Sequence, residues 1–129
     1  MRWKPNVTVA AILEKDGKFL FVEEETRDGL CLNQPAGHLD DGESLQQAVI
    51  RETLEESGVV FVPQALLGIY RMPEPRLDLT YLRVAFVGAL ASINADAVLD
   101  EGIVRTVWLS PAELWAEKSR WRSELVGRC

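Results

Sequence analysis

The sequence predicts an α/β (α+β) sandwich, a sheet covered by helices. Three observations lead there: a hairpin signal near the N-terminus, one helix bounded at both ends, and β-type runs around that helix that lead into a second helix start. The 129 residues suit one compact domain, 1–129, with one core. Apolar residues make up 47% and charged residues 26%, a globular balance without the composition of disorder. The formal net charge of −6 offers no general attraction to nucleic acid or to an anionic membrane. An anionic ligand therefore needs a local source of positive charge.

Taken in order, residues 7–13 and 19–22 are β-type runs joined by "EKDGK", in which Asp16-Gly17 is a two-residue hairpin signal. Both parities of these runs are apolar, so the sheet is expected to be covered on both faces. Residues 30–32 form a short strand, ended by "NQPAGH", where Pro35 and Gly37 break regular pairing. After the polar turn "LDDGE", Ser44 with Gln47 makes a capping box and Gly58 suits a left-handed C-terminal cap, which bounds a helix over 45–57. Residues 65–70 and 80–90 read as strands on either side of "RMPEPRLD", a loop placed to wall a ligand site. Residues 104–109 form a further strand, and Ser110, Pro111 and Glu113 open a second helix through Leu114 and Trp115.

The N-terminal "MRWKPNVTVA" lacks a signal-peptide pattern and no apolar run is long enough to span a bilayer, so the expected location is cytoplasmic. Cys31 and Cys129 show neither redox nor metal spacing and read as free thiols.

The helix over 45–57 carries charge where its stability does not want it. At about 100° per residue, Leu45, Ala48 and Val49 share a broad face with Glu52, Glu55 and Glu56, while Val49, Ile50, Thr53 and Leu54 form the other apolar side. The Glu52–Glu56 pair costs about 0.2–0.5 kcal/mol, and each acid near the helix C-terminus about 0.3–1 kcal/mol against the macrodipole. Arg51, four residues before Glu55, can brace that carboxylate, but it cannot also balance Asp40, Asp41 and Glu43. Carboxylate oxygens suit a hard cation such as Mg²⁺ or Mn²⁺, and no Cys/His cluster favours zinc. A solvated acidic face is the alternative, and the helix alone does not decide between the two.

The wider stretch "GHLDDGESLQQAVIRETLEESGV", residues 37–59, resembles the Nudix box, whose pattern is G-x5-E-x7-R-E-U-x-E-E-x-G-U with U a bulky apolar residue. Gly37, Glu43, Arg51, Glu52, Glu55, Glu56, Gly58 and Val59 stand in its fixed positions, and Thr53 departs from the aliphatic that the family prefers. "VTVAAILEKDGKFLFVEE" resembles the opening hairpin of the Nudix fold and "VWLSPAEL" its last strand-to-helix step, which implies a mixed sheet between helices. "PNVTVA", "NQPAGHLDDGESL" and "RSELV" are similar to the NudJ-type phosphatase branch, although Leu32 replaces the usual aromatic before "NQPAGH".

The resemblance implies a Mg²⁺-dependent hydrolase, with Mn²⁺ as substitute and more than one ion. Its small-molecule substrate would be a nucleoside di- or triphosphate or a thiamine-pathway pyrophosphate. Glu52, Glu55 and Glu56, with the Gly37 carbonyl, are the implied metal ligands; Glu52 also orients or deprotonates the attacking water, and Arg51 stands with this catalytic set. Some family members use a later acid, which makes Glu101, with Asp100 as substitute, the other candidate base. Glu43 and Gly58 are implied supports. His38, Gln34, Arg71 and Arg76 are candidate substrate contacts, with Arg83 and Lys18 as further cations and Trp3, Tyr70 and Tyr81 as stacking surfaces. The competing class is a Nudix-fold module that binds a nucleotide without turnover. An intact acidic set kept at an energetic cost argues against it. Monomer and homodimer are not distinguished by these features.

Overall fold

The computed structural model describes residues 2–129. In chain order the strands are β1 (Asn6–Lys15), β2 (Lys18–Thr26), β3 (Gly29–Asn33) and β4 (Ala36–His38), followed by helix α1 (Leu45–Ser57). Then come β5 (Val59–Glu74), β6 (Leu79–Ile93), β7 (Ile103–Leu109), and short helices α2 (Pro111–Ala116) and α3 (Leu125–Arg128). This is the mixed α+β architecture that the sequence predicts.

Asp16 and Gly17 both take positive φ, 53° and 81°, the turn geometry that matches strand twist. The strands it joins pair only at Glu14↔Phe19 and Lys15↔Lys18 before parting. β1 then runs parallel to β6 and antiparallel to β4, and β6 is antiparallel to β5, in the order β4-β1-β6-β5. β2 lies antiparallel between β3 and β7.

The double-sided apolar pattern is used as expected in β2, which gives Leu20 to one cluster and Phe21 to the other. Val9, Ala11 and Leu13 join Leu20, Phe61, Val84 and Phe86 in a core closed by Ala48 and Val49 of α1. A second cluster, Phe21, Leu114 and Val126 with Trp121, seats the C-terminal segment on the other side. Burial of these apolar surfaces supplies the main driving force for both layers.

Helix α1 has the predicted bounds. Ser44 and Gln47 close the reciprocal capping box, and the Gly58 N–H donates to Leu54 O at 2.9 Å. Its second apolar side is narrower than the wheel suggests: Val49 and Thr53 are buried, whereas Ile50 and Leu54 are 37% and 43% exposed. The Thr53 hydroxyl donates to Val49 O at 2.6 Å, so this departure from an aliphatic is satisfied inside the helix.

Three expectations are corrected. β3 ends at Asn33 as expected, but Pro35 and Gly37 do not leave the backbone unpaired: the Pro35 carbonyl accepts from Ala11 N–H at 2.9 Å, and β4 starts a new ladder with β1 at Ala10↔Ala36, Val9↔Gly37 and Thr8↔His38. β5 extends well beyond residues 65–70 because it is an edge strand, where Pro63 and three register shifts are tolerated. The proposed loop wall at 71–78 is therefore half strand, reduced to a single helical turn at Pro75–Leu77 with Asp78 left-handed. The second helix opens as predicted, with Ser110 and Glu113 capping each other. Among the described residues, no helix is long and apolar enough to cross a membrane.

Gly58 ends α1 with φ 72°, and a Cβ there would also approach Asn94 O to 2.7 Å. Gly58→Ala is expected to lower unfolding stability by about 1–2 kcal/mol, read as a shifted denaturation midpoint at unchanged slope.

Candidate active site

The C-terminal half of α1 lies against β4. A Cβ on Gly37 would overlap the Glu52 carboxyl group, so glycine leaves room for that carboxyl against the strand. One residue earlier, the Ala36 N–H donates to Glu56 Oε1 at 2.9 Å. The loop between β6 and β7 is tied to the same helix end, through Asp100 N–H to Glu55 O at 3.0 Å and Asn94 N–H to Gly58 O at 2.9 Å. Glu25 N–H donates to Gly102 O at 2.7 Å, which holds the loop's far end on β2. Carboxylate oxygens of Glu52, Glu55 and Asp100 consequently lie within 4.8 Å of one another.

Arg51 spans this acidic ground. Its Nε and Nη2 donate to the two oxygens of Glu43 at 2.7 and 3.0 Å, and Nη1 donates to Glu52 at 2.7 Å and Glu55 at 3.2 Å. Nη2 also donates to the His38 carbonyl at 3.0 Å and lies 3.3 Å from Asp40. The Glu43 carboxylate in turn accepts from Asp40 N–H at 3.0 Å. Hydrogen bonding to Glu43 raises the Arg51 pKa, and Arg51 holds Glu43 below the usual carboxylate range.

The deeper acids have no such cation. Burial pushes Glu56 up to about 8, partly offset by the Ala36 N–H and reinforced by the charges of Glu24, Glu52 and Asp100. Burial also raises Glu52, against the lowering effect of Arg51. Among the described residues, no basic side chain forms an ion pair with Glu24, Glu56 or Asp100. Closely spaced, partly dehydrated carboxylates of this kind favour a hard divalent cation or a retained proton.

The remaining sequence candidates are not gathered here. Gln34 is 3% exposed and both ends of its amide are engaged within the protein, Oε1 by Arg83 at 3.1 Å and Nε2 by the Val126 carbonyl at 2.8 Å. Arg71 lies on β5, three strands from β4 and roughly 14 Å away at ordinary strand spacing. Arg76 sits in the exposed β5–β6 turn, paired with Glu74 at 2.9 Å. His38 is exposed, its ring 6.2 Å from that of Tyr81, and Arg128 lies 6.0 Å over Tyr70. Trp3 is 66% exposed, Lys18 pairs with Glu113 at 3.4 Å, and Arg83 is buried. Glu101 is exposed; its neighbour Asp100 is the acid that joins Glu52 and Glu55.

Glu24 is the residue that the sequence reading misses. It shares the parity of Leu20, which faces the α1 core, and a register shift against β7 falls between Glu23 and Glu24. Glu23 points the other way, buried and paired with Arg105 at 2.7 Å and Arg120 at 3.1 Å. The available signal was the acidic run "EEE" at the end of an apolar strand, resolved by its period of two.

Comparison with known proteins identifies the family and the fold. The NUDIX domain family model matches residues 2–126. The chain is 38% identical to Phosphatase NudJ of Escherichia coli (strain K12) over 125 residues, covering 96% of this chain and 80% of that protein. A NUDIX hydrolase structure from Nitrosomonas europaea superposes with a TM-score of 0.94 at 50% identity, covering 98% of this chain and 86% of that one. The MutT NUDIX hydrolase of Burkholderia pseudomallei, at 19% identity and a TM-score of 0.75 over 86% of this chain and 87% of that one, shares the fold.

The raised Glu56 pKa has a definite sign. Between its ordinary 4.5 and about 8, the folded metal-free protein holds a proton that the unfolded chain releases, so stability falls as pH rises across that window. Glu52 contributes in the same direction. Thermal melts of chelated protein are expected to decline from acidic to mildly alkaline pH. Titration with Mn²⁺ near neutrality should release protons, seen as a buffer-dependent heat, and reverse the decline. A flat profile without proton release would remove the assignment.

Proposed function

The chain belongs to the NUDIX family and is a hydrolase of acid anhydrides, and on that premise we propose a divalent-metal-dependent pyrophosphohydrolase whose cations are held by Glu52, Glu55, Glu56 and Asp100. The observation that carries this reading is the meeting of Glu52, Glu55 and Asp100 within 4.8 Å at the helix end that also carries the half-buried Glu56. The donor set fits Mg²⁺ or Mn²⁺ because it is all carboxylate, and the carbonyl of Gly37, the residue that abuts Glu52, is proposed as a further oxygen donor. More than one ion is proposed, since Arg51 alone faces Glu43, Glu52 and Glu55 and leaves Glu24, Glu56 and Asp100 unbalanced. We further propose that residues 1–129 form a single domain of this family, a reading supported by the family match over 2–126.

Held by these carboxylates, Mg²⁺ would supply Lewis acidity toward water and positive charge toward a diphosphate. The protein's own part is placement. Glu52, whose carboxyl is raised by burial, is proposed to orient the attacking water and take its proton. Arg51 keeps the Glu52 and Glu55 carboxylates turned toward one another, and Glu43 anchors Arg51. Asp100 takes the role offered to Glu101 because its backbone is bonded to the end of α1. The substrate class is a nucleoside di- or triphosphate or a related diphosphate, thiamine-pathway pyrophosphates included, a proposal supported by the similarity to Phosphatase NudJ.

Glu52→Gln and Glu56→Gln are each expected to lower turnover by about 10²–10⁴-fold with the fold retained by circular dichroism. Asp100→Asn should fall substantially while Glu101→Gln stays near wild type; the reverse ranking would return the role to Glu101. Activity should vanish with EDTA and return with Mg²⁺ or Mn²⁺. The assay is a panel of nucleoside di- and triphosphates, ADP-ribose, dinucleoside polyphosphates and thiamine diphosphate with products identified. Full turnover without metal would exclude the mechanism.

A further inference from the structure

Arg83 is the only buried cation among the described residues, at 6% exposure, and no carboxylate accompanies it. Its Nη1 donates to Gln34 Oε1 at 3.1 Å and its Nη2 to Asn33 Oδ1 at 3.3 Å, while Nε has no partner. Gln34 Nε2 passes the connection on, donating to the Val126 carbonyl at 2.8 Å. Asn33 and Gln34 are themselves buried, 8% and 3% exposed. A guanidinium dehydrated against two neutral amides costs free energy that an apolar residue would not.

The position of the clamp says what it acts on. It grips residues 33 and 34, directly before the chain bends at Pro35, whose carbonyl is taken by Ala11. Next come Ala36, whose N–H holds Glu56, and Gly37, which abuts Glu52. The same stretch receives the C-terminal segment: Arg122 N–H donates to Leu32 O at 2.8 Å, Leu32 bridges Trp121, and Cys129 Sγ lies 4.0 Å from Arg83. Five consecutive residues thus connect a buried guanidinium and the C-terminal segment to the carboxylates.

We propose that Arg83 and Gln34 are positioning residues for the cation site. Their buried clamp sets the backbone at Ala36 and Gly37 against α1, and couples metal binding to the docking of residues 121–129. The coupling is reciprocal: metal binding stabilises the docked segment, and the docked segment tightens metal binding. The inference rests on Glu52 and Glu56 being cation ligands, as proposed above.

The test measures Mn²⁺ affinity by electron paramagnetic resonance in wild type, Gln34→Leu and Arg83→Met. Phe61→Leu, in the core cluster that holds neither the clamp nor residues 121–129, serves as the control, with unfolding stability followed for all four proteins. Both clamp variants are expected to weaken Mn²⁺ binding about ten- to a hundredfold and to lower kcat at unchanged KM. The control should lose stability without losing affinity. Hydrogen exchange of residues 121–129 should slow on adding Mn²⁺ in wild type and respond less in Gln34→Leu. Wild-type Mn²⁺ affinity in a folded clamp variant, or affinity that tracks stability alone across all four proteins, would overturn the inference. Should Arg83→Met fail to fold, Gln34→Leu alone decides. Absence of Mn²⁺ binding by wild type would instead overturn the parent reading of Glu52 and Glu56.

Discussion

The Arg51 guanidinium lies among Glu43, Glu52, Glu55 and the His38 carbonyl, and the loop before α1, the helix itself and β4 depend on it for their mutual placement. Without it, carboxylates drawn from one helix face and one loop would repel across a partly dehydrated gap. Arginine suits the position because its planar fork serves several acceptors at once, which an ammonium group could not do with the same geometry. The arrangement still leaves an excess of negative charge near Glu24, Glu56 and Asp100. That excess makes the site receptive to divalent cations.

Close packing turns this electrostatic arrangement into a defined geometry. Gly37 admits the Glu52 carboxyl group to β4, and Gly58 lets the chain leave α1 and meet Asn94. Asp100 is delivered by a loop with one end on the helix terminus and the other on β2. Loops held at both ends can carry a functional group without giving up precision of placement. On the opposite side, Glu23 with Arg105 and Arg120, and Gln34 with Arg83 and Val126, seat the C-terminal segment. The site therefore rests on contacts from nearly the full length of the chain.

Local chemistry made much of the fold legible. The Asp16-Gly17 turn, both capping boxes and the bounds of α1 follow from interactions within a few residues, so they read directly. Strand extent was less legible. β5 runs past Pro63 and Pro73 because only one of its edges is paired, and β4 forms beside a proline because Ala11 can use the Pro35 carbonyl. Neither fact is encoded in a short window.

The same division applies to the site. Residues 37–58 carry, in their spacing alone, the glycine, the arginine and the glutamates that one helix face brings together, since helical period converts spacing into proximity. Tertiary structure decided the members from elsewhere: Asp100 rather than Glu101 beside Glu52, Glu24 rather than Glu23 toward Glu56, and Gln34 committed to Arg83 and Val126. Those choices turn on strand register, loop anchoring and which face is buried. They arise from contacts between residues distant in the chain, so the sequence by itself determined the helix-borne half of the site and packing determined the rest.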